Sequence, residues 1–501
     1  MRDDQGRLRP RDSVAGASKT PEPPKPAAAS TSAPLAAGNS PTMIEVGLIG
    51  LLVLTPLPAA SVDGWAVLAI ELAVLLLTGV YLFTPRRPAL NARLAAGLVW
   101  PRRFLAGLAG LLILQVLPLP RALTALLSPH SAVLRAEFAP GYAGTPTATL
   151  SLVPYHTLRA SLELLAYVLV GALVVRTIVH RRQIQRLLLI LTGLGAFQAF
   201  YGLFELFRAH PRVLFFPKVY NLSSATGTFV NRNHFSGYLE MILPLALGLV
   251  IARVDMFSLA GKRWSEKAAQ IAGRGFTVNV LILIAAAAMA LAIIRSQSRS
   301  GVFVLLFILV LFFELTVFHF SARRYRQAWV KTFLKAAFVL VTLAALYAGI
   351  ESTMGRFAKD NLLQDGRPQY WTSALAIVRD FPLAGTGLGT FGDVFPAYGT
   401  IPLEGRLTHA HNDYLEYLSD LGLIGFALLL GTIAFLSIDG FRTWSKRRHP
   451  QIKAMSMGGF VSVAAILVHS VTDFNLHIPA NMLLFAVILG LTYSTAYYRK
   501  A

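Results

Sequence analysis

Long apolar segments recur along almost the whole chain, and they constrain the fold more than any other feature. Each is about 17 to 25 residues long, the length that a helix needs to cross the hydrocarbon core of a bilayer. Lipid offers no partner to open backbone groups, so each segment is predicted to be helical. The sequence therefore predicts an all-α polytopic membrane protein with about twelve transmembrane helices. The twelve segments are 43–60, 65–84, 103–120, 158–179, 186–207, 236–252, 277–294, 301–318, 333–350, 414–438, 454–470 and 479–497.

Composition excludes a soluble enzyme. Hydrophobic residues make up 55% of the 501 residues and charged residues only 14%, whereas an average soluble domain carries about 25% charged residues. The absence of cysteine excludes disulfides, thiolate metal sites and cysteine nucleophiles. The net charge of +21 does not indicate nucleic acid as a partner, because the basic residues lie in short runs between apolar segments.

Those basic runs occupy every second connection, which is the pattern that orients membrane helices. They lie in 85–103, 180–186, 253–276, 319–332 and 439–453. These connections and both termini are therefore predicted to lie in the cytoplasm. The other connections are predicted to face outward, and they are 61–64, 121–157, 208–235, 295–300, 351–413 and 471–478.

Three regions are predicted along the chain. Residues 1–42 combine proline with alanine, serine and threonine, and are expected to form a disordered cytoplasmic tail. Residues 43–185 are expected to form N-terminal transmembrane helices, and 186–497 a transmembrane core that carries the function. The connection 351–413 is unusually long, which is typical of a functional loop. We expect it to form an ordered outward cap, with short helices near 368–380.

The densest polar stretch, Thr408–Glu416, closes that loop and opens a helix. In one interpretation Asn412 or Asp413 only caps the helix. In the other, His411 carries a proton during catalysis, because its ordinary pKa of about 6.5 suits exchange near neutrality. His409 lies two residues earlier in extended chain, so its side chain is expected to point elsewhere.

Two arginines lie on the predicted outer face, away from the cytoplasmic basic runs. Arg299 lies between two membrane helices, and Arg367 lies within the long loop. An arginine at a membrane edge often extends its side chain to lipid phosphates. Alternatively, the pair grips a ligand phosphate in bidentate geometry.

Two further outward connections carry polar residues close to the bilayer. Asn233 and His234 precede an apolar segment and suit either sugar hydroxyls or helix capping, which is favoured for Asn233. Asp473 and His477 lie in a short turn, where ionisable residues are functional candidates unless they only hydrogen-bond one another. The GxGxxG pattern at 387–392 has no strand before it and is interpreted as a turn-rich segment. No metal-ligand motif occurs, so no catalytic metal is expected.

Several of these segments together resemble the O-antigen ligase superfamily, which includes polysaccharide polymerases and protein O-glycosylating ligases. The family signature is His followed by Asn, Ser or Gln, then nine residues and Gly-x-x-Gly/Thr/Tyr. Here it reads His411-Asn412, nine residues, and Gly422-Leu-Ile-Gly425. Ser298–Gly301 resembles the family's arginine after a membrane helix. Residues 366–387 resemble the family's second arginine region, and residues 468–479 resemble its closing segment. The whole resemblance covers roughly residues 190–495.

The resemblance implies a metal-independent, GT-C-like membrane glycosyltransferase without cofactor. The donor would be a glycan on undecaprenyl diphosphate, and the acceptor a glycan or lipid core at the periplasmic face of the inner membrane. His411 would activate the acceptor hydroxyl, while Arg299 and Arg367 would hold the diphosphate. The residues expected to bind substrate are His409, Asn412, Asn233, His234 and Asp473.

The sequence leaves three alternatives to ligation onto a lipid core open. A polymerase of the same superfamily would join repeat units, and a protein ligase would transfer the glycan to serine or threonine. A transporter would move the lipid-linked glycan without chemistry, with its substrate near the bilayer midplane.

Overall fold

The computed structural model describes residues 42–85, 90–139, 141, 144–254, 275–320, 367–399 and 407–498. The predicted tail, apart from its last residue, lies outside the described residues, and so does the predicted membrane segment 333–350.

Helices account for nearly all regular structure in the described residues. In chain order they are α1 (Met43–Leu54), α2 (Gly64–Phe83), α3 (Ala92–Gly97), α4 (Val99–Val116), α5 (Arg121–Leu127), α6 (Pro129–Phe138), α7 (Pro154–Thr177), α8 (Arg181–Glu205), α9 (Arg232–Val254), α10 (Phe276–Arg295), α11 (Arg299–Phe320), α12 (Arg367–Asp380), α13 (Phe391–Val394), α14 (Asp413–Ser445), α15 (Pro450–His469) and α16 (Pro479–Ala496). Two-residue strands form two antiparallel pairs, β1 (Leu119–Pro120) with β2 (Thr147–Ala148) and β3 (Arg212–Val213) with β4 (Phe216–Pro217).

Ten helical segments in the described part of the chain are long and apolar enough to cross a membrane, with α3 and α4 taken as one. This confirms the prediction of an all-α polytopic membrane protein. The expected first segment, 43–60, is α-helical only over Met43–Leu54, which is shorter than a typical membrane span, and a short 3-10 helix follows at Ala59–Ser61. The α-helix ends at Leu54 because Pro56, with no N–H to donate, and Pro58 follow closely.

The most buried of the long helices are α9, α15 and α16. Glycine allows α9 and α15 to approach closely, since a Cβ atom at Gly248 would lie 2.7 Å from the Ala454 carbonyl oxygen. A Cβ atom at Gly458 would lie 2.5 Å from the Pro244 carbonyl oxygen. Small residues let membrane helices pack backbone to backbone in this way. The packing fixes the starts of α9 and α16 and the end of α15 at one end of the bundle, here called the site end.

The helix α14 is interrupted at Gly422, whose φ of 64° lies in the left-handed region. The interruption frees backbone amides, and Leu423 and Ile424 donate theirs to carbonyls of the preceding loop, at Pro382 and Leu383. A Cβ atom at Gly422 would lie 2.3 Å from the Leu383 carbonyl oxygen, so only glycine fits. The signature glycine thus lets the loop dock into the kinked helix.

The predicted orientation can be tested by cysteine labelling, since the chain has no native cysteine. Val219 lies in a connection predicted to face outward and is 72% exposed, whereas Arg182 lies in a basic connection predicted to be cytoplasmic. A membrane-impermeant thiol reagent applied to intact spheroplasts should label Val219→Cys and spare Arg182→Cys. Both should react after permeabilisation. Labelling of Arg182→Cys but not Val219→Cys in intact spheroplasts would reverse the orientation.

Candidate active site

A buried carboxylate, Asp473, gathers polar side chains from three other segments at the site end. Its Oδ1 lies 3.3 Å from His411 Nδ1 and 3.6 Å from His234 Nε2. Its Oδ2 accepts a hydrogen bond from Asn233 Nδ2 and lies 3.5 Å from Arg367 Nη2. The side chain of Asp473 is 0% exposed, while those of His411 and Arg367 are 26% and 24% exposed. The cluster therefore combines a carboxylate that is shielded from solvent with two side chains, His411 and Arg367, that are partly exposed.

Asp473 is held in the turn between α15 and α16, and the start of α14 holds that turn. The Asp413 N–H faces the carbonyl oxygens of Ser470 and Asp473, at 3.0 and 3.2 Å. The Asp413 carboxylate accepts the Leu476 N–H at 3.0 Å and contacts His477 Nδ1 at 2.7 Å. Asp413 thus joins the His411 segment to the Asp473 turn through both its backbone N–H and its carboxylate.

The charge balance around Asp473 favours its ionised form. Burial alone would raise the pKa of the Asp473 carboxyl, because a charge is costly away from water. The side chains of His234 and His411 reverse this effect and hold the pKa well below its usual range. When the His411 ring is neutral, a hydrogen bond from its Nδ1 to the ionised Asp473 leaves Nε2 with its lone pair.

His411 has a φ of 51°, which is uncommon for a residue with a side chain. The next residue, Asn412, is extended and caps α14 by accepting the Leu415 N–H at 3.1 Å. The His411 ring lies edge-on to Phe474, with centroids 4.8 Å apart, and near Tyr370, with centroids 6.3 Å apart. The predicted cap at Asn412 is confirmed, and the left-handed turn before it directs His411 toward Asp473.

His409 belongs to a second cluster, as its extended-chain position predicts. Its Nδ1 lies 2.7 Å from Glu416 Oε1, and the other oxygen of Glu416 accepts the Ala410 N–H at 2.8 Å. His477 Nε2 approaches the same Glu416 at 3.4 Å. Burial would lower the pKa of His477, but Glu416 and Asp413 outweigh it and raise that pKa to about 9. Asp473 and His477, four residues apart in the sequence, therefore have different partners: Asp473 contacts His411 and His234, whereas His477 contacts Asp413 and Glu416.

The second cluster also offers atoms of the kind that ligate metals. Donor atoms of His409, Glu416 and His477 lie within 4.8 Å of one another, and two histidines with one glutamate are a known zinc ligand set. His409 Nδ1 and Glu416 Oε1 also contact each other directly, at 2.7 Å.

Phe474 joins the two clusters. His409 stacks on its ring, with centroids 4.1 Å apart and an interplanar angle of 12°. His234 meets the ring edge-on, with centroids 4.5 Å apart. Together with His411, three histidines therefore rest on one aromatic side chain, which fixes their rings by packing as well as by hydrogen bonds.

The two arginines begin helices that meet this site. Arg367 starts α12 and reaches Asp473 directly. Arg299 starts α11, and the hydroxyl of the next residue, Ser300, accepts a hydrogen bond from Thr472 at 2.8 Å. Arg299 is therefore anchored beside the Asp473 turn through its neighbour in sequence.

The favoured capping role for Asn233 is wrong in the structure. Asn231 caps α9 by accepting the Asn233 N–H at 2.8 Å. The side chain of Asn233 is thereby free of the helix end and turns to Asp473.

Sequence reasoning missed Glu416 and Phe474 as parts of the site. Glu416 ends the polar stretch Thr408–Glu416, and Phe474 lies in the segment 468–479 that resembles the family's closing segment. Glu416 also follows Asp413 by three residues, on the same face of a helix. It also missed a fully buried pair deeper in the bundle, where His469 Nδ1 lies 2.8 Å from Glu240 Oε2.

The segment 387–392, interpreted as turn-rich, contains glycines of positive φ at 387 and 389, and Gly385 just before it also has a positive φ. Its amides contribute to the docking on α14, since Gly387 donates to the Asp420 carbonyl at 3.0 Å and Gly389 to the Asp420 carboxylate at 2.6 Å. Gln115 of α4 adds side-chain hydrogen bonds to Ala384 and Leu388. These contacts hold the loop after α12 beside the His411 segment.

The fold and the site define a polytopic membrane protein with a histidine–aspartate–arginine site at one end of its helices. The family model described as O-antigen ligase matches residues 284–430. This match supports membership of the chain in the O-antigen ligase superfamily and confirms the resemblance seen in the sequence. The matched range includes Arg299, Arg367 and His411 but not Asn233, His234 or Asp473. No curated relative matches the chain.

Proposed function

We propose that the protein transfers a glycan from undecaprenyl diphosphate to an acceptor hydroxyl at the periplasmic face of the inner membrane, as an O-antigen ligase does. The observation that carries the proposal is the contact of buried Asp473 with both His411 and Arg367. The proposed base, His411, and the proposed phosphate-binding residue, Arg367, therefore contact the same carboxylate. Glycan transfer from a diphosphate requires both groups at one site.

The protein's own residues account for each step. Asp473 orients the His411 ring through Nδ1, and His411 Nε2 takes the proton of the acceptor hydroxyl. The acceptor oxygen bonds to the anomeric carbon of the glycan, and the bond from that carbon to the phosphate oxygen breaks. The diphosphate leaves with the electron pair, and Arg367 and Arg299 stabilise the charge that develops on it.

The remaining polar residues are assigned supporting roles. Asn233 and His234 contact Asp473 and hold it in place from the start of α9. Asn412 caps α14, and His409 is paired with Glu416. We therefore propose that these four act mainly by positioning, with sugar contacts restricted to their solvent-facing edges. The reaction is proposed to need no metal.

A transporter is less well supported by this arrangement. Alternating access places a substrate near the bilayer midplane, whereas His411, Arg367 and Asp473 lie at the ends of helices. A polymerase and a protein O-glycosylating ligase would use the same site with other acceptors. The proposal of a lipid-core or surface-glycan acceptor follows the O-antigen ligase family.

The direct test is reconstitution in proteoliposomes with a lipid-linked glycan and separate candidate acceptors: lipid core, a second repeat unit and a serine-containing peptide. The assay includes EDTA, so that transfer also tests metal independence. Glycan transfer to the lipid core is expected. Binding and movement of the lipid-linked glycan without transfer to any acceptor would support the transporter instead.

Replacing His411 by alanine should reduce transfer by about 10²–10⁴-fold, the usual contribution of a general base. His409→Ala should be milder, because His409 contacts Glu416 and not the proposed base. The two variants are a matched pair, since both remove a partly exposed histidine from one loop. Near-normal transfer by a well-expressed His411→Ala variant, or a dead His409→Ala variant beside an active His411→Ala one, would contradict the assignment.

Arg367→Lys and Arg299→Lys should each slow transfer about tenfold or more, which corresponds to losing about 1.4 kcal/mol of transition-state stabilisation. Lysine keeps the charge but cannot form the planar fork that grips a phosphate. Arg208→Lys is the control, because Arg208 pairs with Glu205, which belongs to neither of the two clusters. Transfer at the control rate by both variants would show that the arginines only extend to lipid phosphates.

A further inference from the structure

An apolar cavity of about 680 Å³ lies between the turn that joins α1 to α2 and the β3–β4 hairpin. Its volume is within the ~300–1,000 Å³ typical of pockets that enclose small ligands. The walls come from the end of α1 and the turn after it, from the start of α2, including Ala66, Ala69 and Ala73, and from the hairpin residues Val213–Phe216. All of these residues precede the range 284–430 that matches the O-antigen ligase family model.

Three alanines form one side of the cavity. Ala66, Ala69 and Ala73 follow one face of α2 at helical spacing. Their small side chains leave a smooth groove along the helix. Opposite them lie Phe215 and Phe216, which are 84% and 73% exposed. Trp65, at the start of α2, also lines the cavity and is 64% exposed, and exposed tryptophans at the ends of membrane helices are typical of the membrane–water boundary.

The hairpin that carries these aromatic rings is held firmly. Tyr201 of α8 accepts the Leu214 N–H at 2.7 Å and donates to the Arg212 carbonyl at 3.0 Å. Leu214, at the turn, has a φ of 53°. The hairpin backbone that carries Phe215 and Phe216 is therefore held in place by hydrogen bonds to α8.

The cavity and the active site share one polypeptide segment. After the hairpin the chain continues to Thr228, whose hydroxyl donates to the Pro56 carbonyl in the α1–α2 turn. Five residues later it supplies Asn233, which binds Asp473. The cavity therefore opens at the site end of the bundle, at the depth where α1 ends and α2 begins.

The lining chemistry selects a hydrocarbon chain. Asp63 is the one charged residue among those that line the cavity, and its negative charge disfavours a diphosphate there. The only lipid that the proposed reaction always requires is the isoprenoid-linked donor. We propose that the cavity binds part of the donor's isoprenoid chain, while the diphosphate lies with Arg299 and Arg367. This inference rests on the proposed function and adds a binding site for the lipid part of its substrate.

Shape, not the hydrophobic effect, would favour the chain in this groove, because bilayer lipid is equally apolar. Blocking the groove should therefore weaken donor binding moderately and leave the chemical step intact. Ala69 is exposed to the cavity, so Ala69→Trp fills it without disturbing a packed core. Leu72→Trp adds the same side chain to the same helix at a 59% exposed position that does not line the cavity.

The experiment compares glycan transfer from a full-length isoprenoid donor and from a donor with a two-isoprene tail. Ala69→Trp should raise KM for the long donor about tenfold, equivalent to about a 1.4 kcal/mol loss of binding, and leave the short donor unchanged. Leu72→Trp should match wild type with both donors. Phe215→Ala, which removes the opposite wall, should also weaken only the long donor.

A second readout does not depend on turnover. A donor analogue with a photoreactive group in its isoprenoid chain should label peptides from α2 or the β3–β4 hairpin, also in the His411→Ala variant. The inference is overturned if Ala69→Trp leaves KM for the long donor unchanged, affects both donors equally, or changes only KM for the acceptor. If the wild-type protein transfers glycan from neither donor, the proposed function itself fails. Labelling of α2 or the hairpin then still tests whether the cavity binds an isoprenoid chain.

Discussion

The site depends on a carboxylate that is fully buried beside the membrane helices. Removing Asp473 from water is costly unless charged or polar groups compensate it. The structure supplies two histidines, an amide and a guanidinium from three separate segments. Each of those segments must therefore end where Asp473 lies, and this requirement links α9, α12, α14 and the turn after α15.

Backbone packing makes this convergence possible. Glycines between α9 and α15 allow the two helices to touch, which sets the position of Asn233 relative to Asp473. The kink at Gly422 allows the loop after α12 to form hydrogen bonds within α14. Asp413 then ties the start of α14 to the turn that contains Asp473. The residues of the family signature thus serve two purposes: His411 faces the proposed chemistry, and Gly422 shapes the helix behind it.

Much of this arrangement could be predicted from the sequence. Hydropathy identified the ten long apolar helices of the described residues, because lipid permits few alternatives to a helix. The motif identified His411, and the expectation that His409 points elsewhere is confirmed by its contact with Glu416. The partners could not be predicted, because hydrophobic periodicity carries no information on which loops meet. Asn233 shows this limit: local capping rules favoured a helix cap, whereas the demand of a distant buried carboxylate decided its orientation.

The most direct test of the central claim is a double-mutant cycle on His411 and Asp473. If Asp473 acts through His411, replacing it by asparagine should slow transfer strongly in the wild-type background and add little in the His411→Ala background. A small residual effect of Asp473→Asn on transfer is expected in the His411→Ala background, because Asp473 also contacts Arg367. The transfer rates of the four proteins in proteoliposomes measure this coupling, with equal membrane insertion as the condition for comparison. Independent, multiplicative effects of the two substitutions would contradict the claim that the buried carboxylate orients the catalytic histidine.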